Sequence, residues 1–121
     1  MYTNISLLIT RVVFSLSMLT HGYPKLLNLI SDNPSFSDPI GIGAIPTLIL
    51  AVISEFIAPI FIAIGYKTKI STILPIATMF VASFIVHFDD PFKNKELAIL
   101  YLVGFLIILL MGPGKYSIDR K

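Results

Sequence analysis

Four apolar stretches, each nearly free of charge, govern what this chain is able to fold into. Among Arg, Lys, His, Asp and Glu, residues 1–24 carry only Arg11 and His21, residues 39–66 only Glu55, residues 70–88 only His87, and residues 97–114 none. A helix needs about 20 mostly apolar residues to cross the hydrocarbon of a bilayer, so each stretch is long enough for one crossing. No strand-like alternation runs through them, which points to helices rather than a barrel. A soluble bundle would need a solvated face on every helix. The chain is 55% apolar and 13% charged, about half the charge of an ordinary soluble domain. The expectation is an all-α polytopic membrane protein, a four-helix transmembrane bundle forming one domain over residues 1–121. Its spans fall at about 4–26, 45–65, 69–88 and 95–111, with boundaries good to a few residues.

The connections have their own signals. Residues 28–44 are rich in Ser, Asp, Pro and Gly and read as a true loop, whereas residues 65–69 (Gly-Tyr-Lys-Thr-Lys) are a tight turn between antiparallel neighbours. Asp89-Asp90-Pro91 closes the third span and Gly112-Pro113-Gly114 the fourth. The first span lacks the early basic region and small-residue cleavage site of a secretory signal. Lys67, Lys69, Lys115, Arg120 and Lys121 collect at one end, and Lys25, Lys93 and Lys95 at the other. That balance predicts a multi-pass membrane protein with both termini in the cytoplasm. The same basic residues are scattered singly and make no patch for nucleic acid, despite a formal charge of +2. Without cysteine there is no disulfide framework, thiolate metal site or thiol nucleophile.

Intramembrane charges are costly, and they point to function or to fastening. Arg11 and Glu55 are predicted at depths of roughly 10 and 15 Å from the same end, so they read as an ion pair or relay between the first two helices. Pro59 removes the amide that would bond the Glu55 carbonyl. A second group, His21, Lys25, His87 and Glu96, is expected to gather at the opposite end. His21 and Lys25 are four residues apart on one helix. Thr72, Ile76, Met79, Ser83 and His87 make one inward stripe, and Tyr101 shares a face with Gly104. Phe80, Phe84 and Phe105 read as lipid-facing or core. Three readings of the outer group stand side by side: hydrogen-bond donors for a quinone-like ligand, interfacial side chains reaching water, and, ranked last, ligands for a haem or metal. No residue is singled out as catalytic.

These residues also resemble the DoxX family of small four-helix membrane proteins. Arg11 followed by His21-Gly22-Tyr23-Pro24-Lys25 is similar to the family's Arg and His-Gly-x-x-Lys signature. Glu55, Gly65 with Lys67-Thr68-Lys69, then Met79, Ala82, His87, Glu96 and Leu100-Tyr101-Leu102 follow in family order, as do residues 112–119. Ala58-Pro59 departs from the small glycines common after the Glu. The resemblance implies a redox association at the membrane, since the family name derives from a subunit of an enzyme passing electrons from thiosulfate to quinone. The combined expectation is a redox-associated subunit of the bacterial inner membrane that contacts lipid and binds a quinone or similar amphiphile, as a subunit of a quinone-linked oxidoreductase would. A redox partner protein or a homo-oligomer would supply what the chain lacks. The alternative is a non-enzymatic assembly subunit or small-solute carrier.

Overall fold

The computed structural model describes residues 2–119; Arg120 and Lys121, counted above for orientation, lie outside them. Four helices are long and apolar enough to cross a membrane: α1 (Tyr2–Leu29), α2 (Ala44–Ile64), α3 (Thr68–Val86) and α4 (Phe92–Met111). Their bounds match the expected spans to within three residues. The helices form a closed ring in which α1 packs on α2 and α4, and α3 packs on α4 and on the C-terminal half of α2. At its centre lie Met18, Ile62, Met79, Tyr101, Phe105 and Ile108, all buried. Gly104 gives the Phe14 ring its place beside α4, since an added Cβ would stand 2.6 Å from Phe14 Cζ. Leu16, Ile70, Ile73, Phe80, Val103 and Leu110 point outward with large exposure. That outward apolar surface is what a bilayer requires and what water would penalise.

Polar groups close the helix ends. Asp38 wraps the start of α2, accepting the N–H groups of Ile42 (2.9 Å) and Gly43 (2.8 Å) and the Thr47 hydroxyl (3.1 Å). The tight turn after α2 needs left-handed backbone at Gly65 (φ 73°) and at Lys67 (φ 48°). Asp119 caps α3 from the far end of the sequence, accepting the Lys67 N–H at 3.0 Å and the Thr68 N–H at 2.8 Å. Residues 112–119 thus fold back under the bundle. Ile118 and Asp119 donate their amides to the carbonyls of Ile64 (3.2 Å) and Gly65 (2.8 Å).

Two π-helical turns interrupt the regular ladders, Ile53–Ile57 in α2 and Ala82–Val86 in α3. The first has a local cause. Pro59 has no amide for the Glu55 carbonyl, and the ladder shifts so that Ala58 donates to Ile53 instead. In the second, His87 donates to Ala82 at 3.0 Å. Beyond these turns α2 and α3 part, because Ala44–Val52 makes no substantial packing against α3. The result is a cleft that is closed at the Gly65–Lys67 turn and open toward the 30–43 loop.

Candidate functional site

Gly22 brings α1 against the backbone of α2 at Glu55. An added Cβ there would overlap the Glu55 carbonyl and stand 2.8 Å from the Phe56 nitrogen. One turn further along α1, Lys25 places its ammonium on both Glu55 carboxylate oxygens, at 2.6 Å to Oε1 and 2.5 Å to Oε2. The Glu55 side chain is 2% exposed and that of Lys25 29%. The Phe36 ring lies over the ammonium, 5.8 Å from Nζ to the ring centroid.

Glu55 therefore pairs with Lys25, and the expected Arg11–Glu55 pair is corrected. Helical side chains lean toward the N-terminus of their helix. In antiparallel α1 and α2 this carries Arg11 toward the tail end of the bundle and Glu55 toward the loop end, so the two diverge. The same lean carries Lys25 inward, toward Glu55. Arg11 is fully buried and its guanidinium hydrogen bonds go to carbonyls: Nη1 donates to Ile62 at 3.1 Å and to Ala63, and Nη2 to Tyr116 at 2.5 Å. It caps the C-terminal turn of α2 and ties down the tail.

The pair stands at the inner end of a cavity of about 410 Å³ in the α2–α3 cleft. Leu50, Ala51, Leu74, Ala77, Val81 and Met79 give it apolar walls, and Ser54 and Thr78 add a polar step, with the Thr78 hydroxyl donating to Ser54 Oγ at 2.7 Å. His87 and Phe36 stand at the loop end. His87 Nδ1 lies 2.7 Å from Asp90 Oδ2.

Of the expected outer group, Lys25 and His87 line this cavity, and Glu55 joins them from the other expected group. His21, Glu96 and Tyr101 do not line it, so the single cluster expected from the sequence divides. His21 is exposed and sits edge-on to Tyr101, with ring centroids 5.6 Å apart. Tyr101 itself stacks on Phe105 and belongs to the aromatic core with Phe14. Glu96 is exposed in the first half of α4. The inward stripe on α3 holds: Thr72, Met79 and Ser83 are buried, and Ile76 and His87 half-buried. Phe36, Ser54 and Thr78 were missed. Small hydroxyls among apolar residues were the available signal for the last two, whereas nothing local marks Phe36. Among the described residues, no group of three or more His, Asp or Glu side chains converges as a metal site would require.

Comparison with known proteins places this geometry in context. The DoxX family model matches residues 6–88, which carry Gly22, Lys25, Glu55 and His87. The chain is similar to the inner membrane protein YqjF of Escherichia coli, 22% identical over 97% of this chain and 92% of that one. It is also similar to an uncharacterized protein of Haemophilus influenzae, 28% identical over 92% of this chain and 86% of that one. No solved structure matches it significantly.

Proposed function

The chain belongs to the DoxX family, an integral membrane protein of four helices, and from that premise we propose that it binds a quinone or similar amphiphile as a redox-associated subunit. The observation that carries this reading is the Lys25–Glu55 pair at the inner end of an apolar cavity. Ligand pockets of a few hundred Å³ combine apolar walls with a few convergent polar groups, and this cavity has that composition.

The chemistry of the head follows from hydrogen-bond capacity. Lys25 has three N–H donors and the carboxylate engages two directions, which leaves a donor for a carbonyl oxygen. The Glu55 oxygens keep lone pairs that accept from the hydroxyl of a reduced head. With Nδ1 turned to Asp90, His87 has Nε2 left for a ligand at the loop end. Lys25 and Glu55 together are neutral, which suits an uncharged head. Electrons would be exchanged with a partner protein, since the chain has no thiol.

Toward the tail end, Met18, Ile62 and Phe105 are packed with no exposure. The cavity is blind there, which favours a binding pocket over a solute conduit. Organic extraction of the purified protein and identification of what co-purifies tests the reading. Quinone should appear in near-stoichiometric amount and be lost from the Lys25→Met/Glu55→Gln double variant. A lipid-only extract, unchanged by added quinone, would instead favour an assembly subunit.

A further inference from the structure

Several side chains of the cavity wall also face outward, Ile40 and Val86 among them at the loop end and three more at greater depth. Leu50 is 46% exposed and Leu74 38%, and Ala77 is exposed as well. Each lies well inside a membrane-crossing helix. Ala77 is nine residues from the start of α3, about 13 Å along its axis, close to mid-bilayer. A residue that both lines a cavity and faces outward at that depth marks an opening to lipid.

The loop end is built differently. Asn28 holds the 30–43 loop from one side, accepting the Ser35 N–H at 3.1 Å and donating to the Ser35 carbonyl at 2.6 Å. Asp38 holds it from the other through Ile42, Gly43 and Thr47. Between the two anchors, Phe36 is fixed over Lys25. The Phe36 ring covers one side of the Lys25 ammonium, whose side chain stays 29% exposed at the loop end, while the gap between α2 and α3 is edged by the apolar side chains of Leu50, Leu74 and Ala77.

We propose that the cavity is loaded sideways from the bilayer, through the gap edged by Leu50, Leu74 and Ala77, so that its occupant carries a single apolar chain that stays in the gap. The head lies under Phe36 against Lys25 and Glu55, and the chain leaves between α2 and α3. A cavity of about 410 Å³ holds a ring-sized head and the start of one chain, not a two-chain phospholipid. This inference rests on the quinone-like reading of the cavity and adds its route and the requirement for a tail.

The test compares a decyl-tailed benzoquinone with the same benzoquinone lacking the tail, each titrated against protein in lipid nanodiscs and corrected for protein-free discs. Wild type should hold the tailed probe at least about tenfold more tightly, a difference worth about 1.4 kcal/mol. Ala77→Phe, and independently Leu74→Trp, should weaken the tailed probe by about tenfold or more and leave the tailless one within about twofold. Helical content and thermal midpoint identify any variant that fails to fold, and the other substitution then carries the result. Phe36→Ala should change head affinity for both probes alike. If both probes bind wild type equally and only Phe36→Ala alters their association rates, loading is through the loop end, and the sideways route is overturned while the binding reading stands. If neither probe binds wild type, the quinone-like reading falls and takes the route with it.

Discussion

Removing the Lys25 ammonium leaves the Glu55 carboxylate, 2% exposed, without its counter-ion. Breaking one side of such a pair costs about 3–5 kcal/mol in soluble proteins, because a lone charge stays buried. Lys25→Met and Glu55→Gln should each lower the thermal midpoint in detergent, and the double variant should recover much of the loss. Arg11→Met combined with Glu55→Gln should be additive to within about 0.5 kcal/mol, since Arg11 is bound by carbonyls and not by Glu55. Strong coupling between Arg11 and Glu55 would contradict this geometry. Gly22→Ala should cost about 1–3 kcal/mol, toward the upper end, because the added methyl meets the α2 backbone and not a side chain that can turn aside. It should also loosen the Lys25–Glu55 contact and with it any ligand affinity. The Arg-to-Glu pairing drawn from depth alone failed because depth ignores direction. Two side chains on antiparallel helices meet only when both lean toward the same level.

The ends of α2 set the shape of the cavity more than its middle does. Asp38 holds its first turn, and the Gly43 amide, with help from Thr47, Ile42 and Gly41, keeps the Asp38 carboxyl below the usual carboxylate range against a smaller opposing effect of burial. The sign follows directly. A carboxylate with a lowered folded pKa stabilises the loop above its unfolded pKa, and that stabilisation is lost as pH falls through the lowered value. Amide protection across residues 38–47, taken relative to the intrinsic exchange rate at each pH, should therefore fall when the solution is taken below the ordinary Asp range, and Asp38→Asn should remove that fall in protection. The opposite end of α2 depends on Arg11. Arg11→Lys keeps the charge but loses the planar fork that reaches Ile62, Ala63 and Tyr116 together. Limited proteolysis after Lys115 should become faster in that variant. The elements themselves were legible from sequence, since four uncharged stretches admit little besides four crossings. The cleft was not, because it depends on where two π-helical turns fall. Pro59 announces one of them, and nothing in the 82–86 segment announces the other.

At the scale of the whole molecule, the bundle has two unlike ends. One carries the tail folded beneath Arg11, with Lys67, Lys69 and Lys115 exposed around it. The other carries the 30–43 loop and His87 over the cavity, with Lys93 and Lys95 nearby at the start of α4. Lys25 was counted with this second end on sequence grounds, but its ammonium is turned into the bundle on Glu55 and no longer counts as a headgroup-facing charge. Lys95 is partly engaged too, donating to the Phe88 carbonyl at 3.2 Å. Removing Lys25 from the count strengthens the positive bias of the tail end, which predicts cytoplasmic termini and a cavity whose loop end faces the other side. The chain has no cysteine, so single cysteines report cleanly. Asn33→Cys and Tyr116→Cys leave every basic residue in place, and both positions are exposed. A membrane-impermeant maleimide should label Asn33→Cys in intact cells and Tyr116→Cys only in inverted vesicles. The reverse pattern would overturn the orientation and put the loop end in the cytoplasm, and labelling of both from one side would overturn the four crossings themselves. With the expected pattern, the Phe36 ring over Lys25 lies toward the side opposite the termini, and the packed core would separate the proposed quinone-like occupant from any electron donor on the cytoplasmic side.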